Sequence, residues 1–224
     1  MQLYIGNKNY SSWSLRPWLL MKHAGIAFEE KQLRLSWDDS SVFKQTLLAL
    51  APSGRVPLLV DDGFAVWDSL AIAEYLAERF AEKPLWPVAA RARARARSLC
   101  AEMHSGFAAL RSTFGMNIEA SFPEVGQRML REDADAARDL KRIDAMWLEA
   151  LEASGGPFLF GEFSIADAFF APVCSRVRTF ALPLAGPAQE YADRVLSLPA
   201  FREWERAARA EDDFLVEDEP YRKR

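Results

Sequence analysis

Apolar positions recur along the chain with two different periods, and the change between them divides it. Residues 2–6 alternate as a short strand, whereas residues 15–24 carry apolar side chains at helical spacing and stop at Gly25. Residues 28–35 alternate as a second strand, and 41–50 read as a second helix. The turn Asp61-Asp62-Gly63 joins 58–60 to 64–67 as a hairpin, and a third helix runs over 69–80. Pro84 and Pro87 then interrupt all periodicity, and beyond them only the helical period returns. It predicts helices over 89–113, 123–153, 165–180, 188–198 and 199–210, with Pro123 and Pro199 suited to first-turn positions.

The order βαβαββα in the first part has a definite topology. A right-handed crossover makes the first two strands parallel, and the hairpin adds two antiparallel ones. The result is a small mixed sheet covered by helices, a thioredoxin-like arrangement. The fold class is therefore α/β plus all-α, with an α/β domain over 1–81, a linker over 82–87 and a helical domain over 88–224.

Composition narrows the class without naming a function. Half of the 224 residues are apolar, enough for a sizeable core. The net charge of -4, from 32 acids and 28 bases, gives no general reason to expect a nucleic-acid or anionic-membrane partner. The alternating run from Arg91 to Arg97 resembles a nucleic-acid patch, but on a helix its arginines divide between nearly opposite faces. The acidic run from Glu211 to Glu219 reads as a solvated tail. No basic region with a long apolar stretch opens the chain, and no window approaches a membrane span, so a cytoplasmic location is expected. The two cysteines, Cys100 and Cys174, sit in helical apolar patterns and suggest no disulfide. Two histidines, His23 and His104, form no recognisable metal site.

Candidate chemistry gathers in the first domain. Pro57 opens a strand after a glycine-containing turn, a place for a cis bond that would turn the carbonyl and amide of Val56 outward for an extended peptide. Eleven residues on, Asp68-Ser69 begins a helix whose free amides and dipole favour a carboxylate. The loop before the first helix holds Ser11, Ser12 and Ser14, of which Ser12 or Ser14 could instead serve as a helix cap. Farther along, Ser164-Ile165-Ala166-Asp167 has the form of a capping box and is assigned to folding.

Four ordered motifs, YSSWSLRPWLL (10–20), SGRVPLLVDDG (53–63), WDSLAIAEYL (67–76) and FLFGEFSIADAFFAP (158–172), together resemble the glutathione transferase superfamily across nearly the whole chain. The resemblance is to a serine-type bacterial member with a zeta-like Ser-Ser loop. It implies a glutathione-binding amino-terminal domain, a helical domain that shapes the second-substrate pocket, a homodimer and a role in detoxification. Glutathione would be the co-substrate, with no metal and no nucleic-acid or membrane partner.

Carried over by position, Val56 and Pro57 match the family's Val-cis-Pro, and Asp68 and Ser69 its acidic-Ser pair for the γ-glutamyl end, with Asp in place of the commoner Glu. Arg55 is a candidate partner for a glutathione carboxylate. Counting four residues back from Arg16 makes Ser12 the first candidate for the catalytic hydroxyl and Ser11 the second. A hydroxyl donating to a bound thiolate is worth about 1.5 to 3 kcal/mol, or roughly one to two pKa units. The zeta class, which includes maleylacetoacetate isomerases, continues Ser-Ser-Cys where this chain has Trp13, and Thr179 stands where zeta enzymes carry an arginine. Trp13, His104, Phe107 and Arg111 are expected to shape the second-substrate pocket, with Arg111 facing an anionic substrate or a carboxylate across the interface.

The resemblance thus implies conjugation of glutathione to small hydrophobic electrophiles. Isomerisation, reductive dehalogenation and non-catalytic ligand binding remain alternatives.

Overall fold

A computed structural model describes residues 1–223 and orders them as two halves that share one large core, with a smaller separate cluster of Phe43, Leu47, Ala51 and Leu58 in the first half. The first half is a four-stranded sheet of order β2-β1-β3-β4, built from β1 (Gln2–Ile5), β2 (Glu29–Gln32), β3 (Leu58–Asp61) and β4 (Phe64–Trp67). β1 runs parallel to β2 and antiparallel to β3, and β3 and β4 form the hairpin, as the crossover argument requires. Leu3 and Ile5 point into the core with no exposed surface, and Leu3 lies opposite Leu59 in the register. Helices α1 (Ser12–His23), α2 (Val42–Leu48) and α3 (Ser69–Arg79) complete this half.

The second half is helical: α4 (Ala90–Ser105), α5 (Ala108–Thr113), α6 (Pro123–Glu132), α7 (Ala134–Ser154), α8 (Ile165–Phe180), α9 (Gly186–Ser197) and α10 (Pro199–Ala210). A helix that is apolar all round belongs in the middle of a domain. α8 obeys this, burying every residue except Arg178 and packing on α1, α4, α6 and α9. Its start carries the expected capping box, in which Asp167 accepts from the Ser164 amide at 2.8 Å and Ser164 Oγ accepts from the Ala166 amide at 3.3 Å. α1 packs on α8 and α10 of the helical half and on α3 of its own half, so the loop that precedes it lies where the two halves meet.

Two helices predicted as continuous are each broken. The predicted 89–113 helix ends at Gly106, and Phe107 takes a left-handed conformation, φ 54°, before α5 begins. Such a φ costs an ordinary residue about 1 to 2 kcal/mol. Burial of the phenyl ring offsets a cost of that size. Asp139 on α7 then accepts from the Leu110 amide at 3.0 Å, fixing the direction of the new helix. The predicted 123–153 helix breaks at Asp133, whose carboxylate accepts from the amides of Asp135 and Ala136 and so caps α7.

The acidic tail is also not the solvated segment expected. Glu219 is 5% exposed, because its Oε1 accepts from Tyr10 Oη at 2.6 Å and Asn117 Nδ2 at 2.9 Å. Glu211 accepts from the Lys8 amide at 2.5 Å, so both carboxylates strap the tail onto the 7–11 loop. No helix among the described residues is long and apolar enough to cross a membrane.

Candidate functional site

The loop after β1 is held from both halves. Asn7 Oδ1 accepts from the Leu35 amide at 2.8 Å, and Asn9 Oδ1 accepts from the Ile118 amide at 2.7 Å. The Ser11 amide closes a turn onto the Asn7 carbonyl at 2.8 Å. This fixed loop delivers three serines with three different fates. Ser14 Oγ accepts from the Gly6 amide at 3.1 Å and from Ser11 Oγ at 2.8 Å, which commits both hydroxyls to the fold. Ser11 is the residue before the helix but makes no side-chain cap, and Ser12 lies inside the first turn of α1. Ser12 is partly exposed, and its hydroxyl has no protein partner among the described residues.

Two cavities meet beside that loop. The smaller, about 330 Å³, is lined by Val56, Pro57, Asp68, Ser69, Arg55 and His104 among others. The larger, about 690 Å³, is lined by Ser11, Ser12, Arg111, Arg176 and Asp218 among others. Trp13, Arg55 and Val56 line both, so the two spaces adjoin. The Val56-Pro57 bond is cis.

At the smaller cavity Asp68 adopts φ 77° and ψ 131°, a sparsely populated region for a residue with a side chain. Its Oδ1 accepts from the Leu70 amide at 2.8 Å and caps α3, and its Oδ2 lies 3.2 Å from His104 Nε2. Ser69 is buried, and its Oγ accepts from Arg16 Nη1 at 3.4 Å. The guanidinium of Arg16 lies 4.3 Å from the Trp13 ring centroid and 4.7 Å from that of Phe169. Burial, with Arg176 and Arg111 nearby, lowers its pKa to about 9, still charged at neutral pH. A carboxylate placed at the start of α3 would meet that charge as well as the helix amides.

The wall of the larger cavity is also cationic. Arg111 lies with its guanidinium 5.3 Å from the Trp13 ring, and burial lowers its pKa. Arg176, 3% exposed, donates from Nε to the Phe114 carbonyl at 2.6 Å, and burial with Arg111 beside it lowers its pKa to about 10. Asp218, from the strapped tail, has its pKa pushed up to about 6 by burial and then by Glu217 and Glu219.

Of the four residues expected at the second-substrate pocket, Trp13 and Arg111 line the larger cavity, and His104 lines the smaller one against Asp68. Phe107 is 7% exposed in the core, where the break before α5 places its ring. Thr179 is buried and donates to the Asn117 carbonyl at 2.8 Å. Arg16, Arg176 and Asp218 were not among the expected site residues. The two arginines had a signal: each is a lone charge on an apolar helix face, a placement that needs a reason. Asp218 had none, because an acidic run near a terminus ordinarily reads as solvated. Among the described residues, no group of three or more His, Cys, Asp or Glu side chains is placed to hold a metal ion.

Comparisons with known proteins agree with this architecture. Residues 10–79 match the family model for the glutathione S-transferase N-terminal domain, and 128–207 match that for the C-terminal domain. A maleylacetoacetate isomerase from Pseudomonas aeruginosa is 29% identical over 213 residues, covering 91% of this chain and 94% of that protein. A stringent starvation protein A homolog from Pasteurella multocida is 25% identical over 189 residues, covering 82% of this chain and 80% of that one. The fold matches a Burkholderia glutathione transferase homolog solved with bound glutathione, at a TM-score of 0.69 and 23% identity, covering 93% of this chain and 98% of that one. With both domain models matched in order on a thioredoxin-like sheet followed by a helical domain, the chain belongs to the glutathione transferase superfamily.

Proposed function

We propose that the chain binds glutathione across the two adjoining cavities and transfers its thiolate to a small electrophile. One observation carries this reading: the partner-free hydroxyl of Ser12 borders the larger cavity, while Val56, Asp68 and Ser69 border the smaller one that opens beside it. The backbone of Val56 would pair with the cysteinyl part. Ser69, the α3 amides and Arg16 behind them would take the γ-glutamyl carboxylate, and Asp68 the ammonium. Arg55, which lines both cavities, would meet the other carboxylate of the tripeptide.

Ser12 is the better candidate for the thiolate partner. The Ser11 hydroxyl is donated to Ser14, whereas that of Ser12 is free to donate to sulfur. A thiol titrating near 8.5 that is lowered by one to two units, to about 7, is substantially thiolate at neutral pH. On an activated chloroarene the sulfur lone pair forms the new carbon–sulfur bond, chloride leaves with the carbon–chlorine pair, and the thiol proton goes to solvent. A homodimer in the cytoplasm, with a detoxifying role, belongs to the same reading.

A second reading, isomerisation, is supported by the relative from Pseudomonas aeruginosa, which matches over nearly the full length of both chains. There the same thiolate would add to a conjugated double bond, allow rotation and leave again unchanged. Trp13 in place of the zeta cysteine and Thr179 bonded into the core are the departures that this reading must accommodate. Calorimetric titration with glutathione, followed by turnover of a model chloroarene and of a maleyl-type substrate, separates the two. Binding without either turnover would favour a ligand carrier, and absence of glutathione binding would defeat all the glutathione-dependent readings.

A further inference from the structure

The larger cavity is unusual in the balance of its charges. Arg111 and Arg176 both line it, and Arg16 lies behind the Trp13 ring that forms its wall. Among the described residues no carboxylate forms an ion pair with any of the three. Arg16 donates to Ser69 and lies against two aromatic rings, with its buried Nε left without a partner. Arg176 spends Nε on the Phe114 carbonyl at the end of α5, and no described residue accepts from its two terminal nitrogens. Arg111 has a buried Nε without a partner. Nearby acids form no ion pair with them: Asp139 holds the Leu110 amide while its charge acts on Arg111 from beyond ion-pair distance, and Asp39 is exposed and lies 4.0 Å from Lys44. Asp218, the third, faces Glu217 and Glu219 and pairs with neither arginine.

Desolvating a guanidinium without an ion-pair partner is costly, and a wall that holds one such arginine buried and a second half-buried is organised for a negative charge that arrives with a ligand. Planar forked donors suit a carboxylate in particular. We infer that Arg111 and Arg176 form a subsite for a carboxylate carried by the second substrate, so that the electrophile is an organic acid and not a wholly hydrophobic molecule. This rests on the glutathione-dependent reading above and narrows it. The aromatic face of Trp13, cationic on its far side, would lie along the apolar body of such an acid.

A chloronitrobenzoate and its methyl ester share a leaving group and ring, but the ester withdraws electrons more strongly than the carboxylate and reacts faster unaided, so each kcat/KM is divided by the rate constant of the uncatalysed reaction with glutathione. On that normalised scale the wild-type protein should favour the acid over the ester by at least about tenfold, the scale expected for one charge-assisted contact. In Arg111→Met that acid-to-ester ratio should fall by about tenfold, and Arg111→Lys should restore most of it. Arg176→Met should act in the same direction, but its Nε supports the fold, so Arg111 carries the test. A ratio near one in the wild type, or a ratio unmoved in Arg111→Met of normal melting temperature, would overturn the inference. So would a loss of glutathione affinity in Arg111→Met equal to the loss for the acid, since the arginines would then serve the tripeptide. If glutathione fails to bind at all, the functional reading falls separately, and calorimetry with unreactive nitrobenzoate decides this one: saturable binding lost in Arg111→Met supports it, and no binding in the wild type overturns it.

Discussion

His104 Nε2 lies 3.2 Å from Asp68 Oδ2, so a side chain of the helical half meets the carboxylate that begins α3 in the sheet half. The other oxygen of Asp68 is held by the Leu70 amide. The carboxylate is therefore oriented from both sides before any ligand arrives. Such orientation matters more at a residue already held at φ 77°, because the backbone conformation and the side-chain direction must be satisfied together.

If Asp68 takes the ammonium of glutathione, its charge is worth about tenfold in affinity, toward the lower end of charged contacts because the side chain is exposed. Asp68→Asn tests this cleanly, since an amide oxygen can still cap α3 and asparagine tolerates a positive φ. Calorimetry should show wild type preferring glutathione to its desamino analogue by about that factor, and the variant showing little preference. His104→Phe should lose a smaller part of the same preference. An undiminished preference in Asp68→Asn would remove the residue from the clamp.

The strapped tail should contribute measurably to stability. Glu219→Ala strands the Asn117 amide in the interior, leaves the Tyr10 hydroxyl only its longer bond to the Asp213 carbonyl and removes the ion pair with Arg222, and an unsatisfied buried donor costs about 1 to 3 kcal/mol. Urea unfolding should show a lower midpoint with an unchanged slope. An unchanged midpoint would return the tail to the solvated role that its sequence suggests.

The capping box at the start of α8 is structural. Ser164→Ala should cost about 1 kcal/mol and lower the melting temperature while leaving turnover per folded molecule as it was. A normal melting temperature would contradict the assignment.

Much of the fold was legible because period and punctuation agreed. The hairpin at Asp61-Asp62-Gly63, the capping box at Ser164 and the first-turn prolines at 123 and 199 all combine a local signal with a change of period, and each element forms where it was read. The breaks at Phe107 and Asp133 were not legible, for opposite reasons. Nothing local marks a phenylalanine for a left-handed φ, because its stabilisation comes from a core assembled by distant segments. Asp133 did carry a cap signal, but it was masked by unbroken helical periodicity on both sides. At the candidate site, the serine loop and the Val-Pro and Asp-Ser pairs could be read from their order. Which serine has a free hydroxyl, that His104 turns to Asp68, and that Arg176 joins Arg111 depended on how α1, α4, α5 and α8 meet, a matter of tertiary packing.

Whether Ser12 activates the sulfur can be read from the ionisation of the bound thiol, followed by the ultraviolet absorbance of the thiolate as glutathione-saturated protein is titrated with base. The wild type should ionise roughly one to two pKa units below free glutathione. Ser12→Ala should return most of that shift while still binding the tripeptide, and Ser11→Ala should not. A bound thiol that titrates at its free value in the wild type, or a shift that survives in Ser12→Ala and vanishes in Ser11→Ala, would contradict the role of the Ser12 hydroxyl as the donor to sulfur.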